Sequence, residues 1–100
     1  NDNLISELKN LEPLIRLKEL NLSWNQIREL KGLEQLKNLQ KLWLYENEIR
    51  ELKGLEQLTN LKKLYISGNP LIDYERHLIW KNAQEVVKYC QEKTRNTNSN

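Results

Sequence analysis

Residues 17–38, LKELNLSWNQIRELKGLEQLKN, run without a gap into residues 39–60, LQKLWLYENEIRELKGLEQLTN, and the two segments agree at 15 of 22 positions. The agreement takes in every leucine, one isoleucine, one glycine and the asparagine pair Asn25/Asn47. Most of the differences alternate with the early leucines. A unit whose apolar positions are fixed and whose intervening positions vary is a repeat that buries one side against its neighbours and shows the other.

The register extends beyond both copies. Stepping back 22 from Asn25, Ile27, Leu30, Leu33 and Leu36 lands on Asn3, Ile5, Leu8, Leu11 and Leu14. Residues 1–16 are therefore expected to be the back half of a repeat that lacks its strand. Stepping forward from Leu39, Leu42, Leu44, Asn47 and Ile49 lands on Leu61, Leu64, Ile66, Asn69 and Leu71, after which the pattern stops. The repeats thus occupy residues 17–69, as two full units and a third strand.

Within each copy the spacing changes midway. Leu20 and Leu22, like Leu42 and Leu44, stand two apart, so a short strand would point them to one side and the residues between them to the other. From Ile27 through Leu30, Leu33 and Leu36 the spacing is three, which suits a tight 3₁₀-like or irregular return. Gly32 and Gly54 fall in that return, where a residue without a side chain allows a positive φ or a close approach. Asn25, Asn47 and Asn69 recur at the bend between strand and return. There an amide can donate to one turn's carbonyl and accept from another's N–H, a structural task.

The pattern LxxLxLxxNxIxxLxGLxxLxN, followed over roughly residues 3–71, resembles the leucine-rich-repeat family and specifically its 22-residue subclass. The resemblance implies an α/β repeat solenoid, a right-handed arc with a short parallel β-sheet on its concave face and 3₁₀ or irregular returns on its convex face. It also implies an adaptor role, since members of the subclass, among them a phosphatase regulator and a spliceosomal component, serve as regulatory or scaffolding subunits.

After Asn69-Pro70 the periodicity changes again. Asp73 is placed to cap a helix, with Glu75 in its first turn. On a helix from about Tyr74 to Lys93, Ile79, Ala83, Val86 and Cys90 form one stripe, flanked by Trp80 and Val87 on one side and by Leu78 and Tyr89 on the other. Residues 70–93 are accordingly expected to be a C-terminal capping α-helix of the kind that ends many members of the subclass, covering the last leucine layer. Residues 94–100 are expected to be a flexible tail.

Composition supports one small globular domain. The 100 residues are 38% hydrophobic and 30% charged, and 20 of them are leucine, a core that only a regular geometry specifies well. A net charge of +2 gives no polyanion-binding field. No apolar run could span a bilayer, and nothing resembles a signal peptide. A single cysteine, Cys90, excludes an internal disulfide and suits a reducing compartment, so the expected location is the cytoplasm. The start at Asn1 reads as a fragment or a processed product.

No catalytic constellation is found. On one continuous helix His77 and Cys90 would be separated by about 20 Å of rise and point apart, which excludes a nucleophilic pair. Asp73 and His77 are two ligands without a third, so no metal is expected. Gly32, Gly54 and Gly68 follow the repeat rather than a phosphate loop, and no cofactor is implied.

The variable strand positions remain. They form columns Glu19, Lys41, Lys63; Asn21, Trp43, Tyr65; Ser23, Tyr45, Ser67; and, at the strand ends, Trp24, Glu46, Gly68. In-register parallel pairing would place Trp43 beside Tyr65 at about 5 Å. Trp24, Trp43, Tyr45 and Tyr65, rimmed by Lys41, Lys63, Glu19 and Glu46, have the composition of an interface centre for a protein or peptide. Aromatic residues also suit strands for their own sake. Nucleic-acid stacking on the same rings is disfavoured by the acidic residues among them. A further alternative is self-assembly, or pairing with additional repeats, at the first strand's open edge above Leu4, Ile5, Leu8 and Leu11.

Overall fold

A computed structural model describes residues 16–98. The expected half-repeat over residues 1–16, with Leu4, Ile5, Leu8 and Leu11, lies almost entirely outside the described residues. Three short strands, β1 (Glu19–Asn21), β2 (Lys41–Trp43) and β3 (Lys63–Tyr65), form one parallel sheet in the order β1-β2-β3. Their register pairs Glu19 with Lys41 and Lys63, Leu20 with Leu42 and Leu64, and Asn21 with Trp43 and Tyr65, the columns that a 22-residue offset dictates.

The hydrogen bonds repeat with the sequence. The N–H groups of Gln40 and Lys41 both donate to the Lys18 carbonyl at 2.7 and 3.0 Å, and one repeat later those of Lys62 and Lys63 donate to Gln40 at the same distances. In the returns, leucines three apart close successive tight turns: Leu36 donates to Leu33, Leu39 to Leu36, Leu58 to Leu55 and Leu61 to Leu58, all at 3.0–3.1 Å. These i→i−3 bonds are why the leucine spacing there is three and why no continuous helix forms. Leu33, Leu36 and Leu39, like Leu55, Leu58 and Leu61, are completely buried. A repeat with so little backbone of its own depends on its neighbours for this burial.

The bend after each strand turns through the left-handed region at Trp24 (φ 63°), Glu46 (φ 57°) and Gly68 (φ 82°). Only the last is a glycine, so the first two bends carry strain that Gly68 avoids. Gly54, at φ 112°, is constrained from a second direction, because a Cβ there would lie 2.8 Å from the Leu30 carbonyl oxygen of the preceding repeat.

The segment after Pro70 departs from the expected single helix. A 3₁₀ helix covers Asp73–Trp80, Lys81 is extended, and α1 begins at Ala83 and runs to Asn98, past Lys93 and into the stretch expected to be a tail. Asp73 is not a cap. It lies inside the 3₁₀ helix and pairs with Arg76 at 3.5 Å, and no side chain caps that helix. The capping residue is Asn82, whose Oδ1 accepts from the Glu85 N–H at 2.9 Å while Glu85 Oε1 accepts from the Asn82 N–H at 3.2 Å. This reciprocal box starts a new helix and explains the break. The stripe survives in part: Leu78, Ala83, Val86, Val87 and Cys90 are buried, but Trp80, at the end of the 3₁₀ helix, is 83% exposed.

The two helices pack on the second return. Gln84 donates to the carbonyls of Thr59 and Leu61, Gln91 to Glu56, and the Cys90 thiol to Leu52 at 2.8 Å.

Replacing Gly54 by alanine should lower stability by about 1–3 kcal/mol, whereas Glu46→Gly should raise it by a few tenths to about 1 kcal/mol through relief of the left-handed bend. Urea unfolding of the two variants checks this. Equal and small shifts would contradict it.

Candidate docking face

The in-register columns put side chains of alternate residues on the face of the sheet that the leucines do not use. Trp43 and Tyr65, opposite each other on β2 and β3, stack with ring centroids 5.5 Å apart and an interplanar angle of 14°. Tyr45 meets the same Tyr65 ring at 5.5 Å with a tilt of 47°. All three are half-buried. Tyr65 is the shared member, so the cluster is centred on β3 and its neighbour rather than spread across the sheet.

Two further candidates are joined by an ion pair, Lys41 Nζ to Glu19 Oε2 at 3.7 Å. Lys63, next in that column, is exposed and has no ion pair among the described residues. Glu46 stands at the bend, where its carboxylate lies over the space that a Gly68 side chain would fill. Trp24, in the same repeat position, is 47% exposed and makes no ring contact with the other three aromatics. The expected four-ring convergence is therefore a cluster of three, because the left-handed bend at Trp24 takes its side chain out of the strand alternation.

Strand β1 contributes polar structure instead of rings. Asn21 Oδ1 accepts from the Ser23 N–H at 3.0 Å, and Ser23 Oγ accepts from the Tyr45 N–H at 3.0 Å. At these two positions the copies differ in kind: Asn21 and Ser23 are tied to backbone, while Trp43 and Tyr45 present aromatic surface.

The returns offer no comparable surface. An open groove there is lined by charges of both signs, including Arg28, Lys31, Arg50, Lys53, Glu48 and Glu51, and Arg28 is already paired with Glu48 at 3.0 Å. No group of metal-ligating side chains large enough to hold an ion occurs among the described residues, and none of their helices is long and apolar enough to cross a membrane.

Sequence reasoning missed one cluster. Glu75, assigned only to a helix first turn, is completely buried. Its Oε1 accepts from the Leu52 N–H at 2.7 Å, and its Oε2 accepts from the Tyr89 hydroxyl at 2.6 Å and from Lys93 Nζ at 2.8 Å. Burial alone would push this carboxyl up, but Lys93, Tyr89 and the Leu52 N–H together hold it below its ordinary value. Burial would likewise depress Lys93, and the bond and charge of Glu75 hold it above the usual lysine range. Burial and Glu75 raise Tyr89 well above an ordinary phenol. The one available signal was the i, i+4 spacing of Tyr89 and Lys93, which names no acceptor when the acid lies beyond a helix break. Cys90, bonded to Leu52 and pushed up by burial to about 12, is core rather than nucleophile, and His77 is exposed.

A family model described as leucine-rich repeats, two copies, matches residues 15–57 and, in an overlapping placement, residues 37–77. The chain belongs to the leucine-rich-repeat family. Among solved structures, an internalin (inlF) from Listeria monocytogenes str. 4b F2365 has a similar leucine-rich-repeat fold, with a TM-score of 0.65 and 30% sequence identity over 79% of this chain. The match covers 24% of that protein, so this chain spans about a quarter of its length. No curated protein matches the chain.

The Glu75 cluster gives this leucine-rich-repeat chain a defined pH response. A lowered carboxyl stabilises the fold above the unfolded carboxylate range, and that stabilisation is lost as pH falls through the folded value; a raised lysine stabilises below the lysine range, and is lost as pH rises through its folded value. Glu75→Gln should cost about 1.5–3 kcal/mol at neutral pH. The difference from wild type should shrink as pH drops below about 4. Denaturant unfolding at pH 7 and pH 3 measures both, and a pH-independent difference would rule the assignment out.

Proposed function

We propose that this chain is a non-catalytic protein-protein interaction module of the 22-residue leucine-rich-repeat subclass, acting as an adaptor or regulatory scaffold. Its sheet is the concave binding face, and the Asp73–Trp80 and Ala83–Asn98 helices are the C-terminal cap. The observation that carries this reading is the stacked Trp43–Tyr65 pair with Tyr45 against it, aromatic surface on a face that the leucine core does not need. Large, rigid rings with few rotatable bonds lose little entropy on docking and dominate interface energetics. Lys41, Lys63, Glu19, Glu46 and the bracketing Trp24 form the rim.

The cap assignment is supported by how the helices treat Leu52. Both polar groups of its peptide backbone are taken by side chains, the N–H by Glu75 and the carbonyl by the Cys90 thiol. In the preceding return the Leu30 carbonyl is covered by the close approach of Gly54 from the next repeat. Cys90 therefore does for the last return what a following repeat does for an internal one. The family as a whole supports the broader role, since leucine-rich repeats are generally binding modules without catalysis.

The test compares three immobilised baits: the wild-type chain, Trp43→Ala/Tyr65→Ala, and a return-face control, Arg50→Ala/Lys53→Ala. The aromatic double variant should lose protein partners that both other baits retain, with its melting temperature lowered by only a few degrees, as expected for losing a stacked pair worth about 0.5–1.5 kcal/mol. Equal capture by the aromatic variant and the wild type would refute the docking role.

A further inference from the structure

We propose that the partner docked on this face is an acidic extended peptide, one whose carboxylate side chain meets Lys63 while neighbouring apolar groups lie on Trp43 and Tyr65. This rests on the docking role proposed above and specifies its chemistry. The Trp43 indole N–H and the Tyr45 and Tyr65 hydroxyls make no hydrogen bond with any described residue. Lys63, two residues before Tyr65 on the same side of β3, has no ion pair among the described residues. Three neutral donors thus run along the β2–β3 half of the face, with the Lys63 ammonium at its strand-start end.

The acceptors nearby are already placed. Glu19 neutralises Lys41. Glu46 sits at the far end of the strand, over Gly68. Asn21 Oδ1 and Ser23 Oγ accept from backbone N–H groups. The strand-start end therefore carries one uncompensated positive charge beside aromatic surface, and the group that satisfies it is an acceptor-rich anion attached to something flat or apolar. A carboxylate on an extended chain meets both needs, since alternate side chains of a strand-like peptide reach the rings and the lysine in turn. A nucleic acid would also present anions and flat bases, but its row of phosphates would run toward Glu46 and Glu19.

The experiment uses the full chain with Trp80→Phe, which leaves Trp43 and the rim residue Trp24 as the reporting indoles. Their emission is titrated with a capped peptide of Glu-Ser-Val-Ser repeats, which puts glutamate and valine in turn on one face of an extended chain, with the counterpart carrying lysine for glutamate, and with an oligothymidylate of matched length. The glutamate peptide should shift this emission saturably, with an affinity at least tenfold above that of the lysine peptide. Lys63→Glu should lower glutamate-peptide affinity about tenfold without moving the melting temperature, because the residue is exposed. Equal binding of both peptides, binding of oligothymidylate alone, binding of none of the three, or an unaltered affinity in Lys63→Glu would each overturn the proposal. If Lys63→Glu has no effect while the Trp43/Tyr65 double variant still loses protein partners, the acidic preference falls and the docking role stands.

Discussion

The side-chain amides of Asn47 and Asn69 hold the repeats in step. Asn47 Nδ2 donates to the Leu22 carbonyl of the preceding repeat at 2.9 Å, and its Oδ1 accepts from the Ile27 N–H at 3.1 Å. Asn69 does the same one repeat on, donating to Leu44 at 2.8 Å and accepting from both the Asn47 and Ile49 N–H groups at 3.1 Å. The amides of Asn25, Asn47 and Asn69 also each donate to the carbonyl three residues back, that of Leu22, Leu44 and Ile66 respectively, just past the strand end. A tight bend leaves backbone donors and acceptors buried without partners, and one asparagine satisfies them in two repeats at once. The strands are only three residues long, so their ladders alone would fix little. Near the end of the return, Asn60 adds a second such link, donating to the Lys37 carbonyl at 2.9 Å.

That constraint is what makes the opposite face available. With register set by the asparagines and packing by buried leucines, the positions between the leucines carry no structural demand from the core. Trp43, Tyr45 and Tyr65 can then stack on a sheet that holds them at strand spacing. The helices after Pro70 pack on the second return. Glu75 and Cys90 take over the Leu52 backbone, and Lys93 ties Glu75 to Glu51 of the second repeat.

The repeat and its sheet columns were legible because they depend on periodicity, which a sequence displays directly. Trp43 beside Tyr65 follows from a 22-residue offset and parallel pairing alone. Trp24 was misplaced because alternation fails at a residue with positive φ, and only Gly68 at the equivalent position hinted at that bend. The break at Lys81-Asn82 was hidden because Leu78, Ile79, Ala83, Val86 and Cys90 keep a helical stripe across it; Asn82 with Glu85 was the signal, a capping box inside an apparently continuous pattern. Glu75 was illegible for a different reason. Its burial depends on a tyrosine, a lysine and a backbone N–H brought together by tertiary packing, and composition cannot show that.

The most direct test of this account is amide hydrogen exchange in the wild-type chain and in Asn47→Ala. If the asparagine column couples the repeats, the Ile27 N–H should be among the slowly exchanging amides of the wild type and should lose protection in the variant. Global stability should fall by about 1–3 kcal/mol for the unsatisfied groups left behind. An Ile27 amide that stays protected in Asn47→Ala, with stability unchanged, would contradict the claim that this interaction holds the repeats in register.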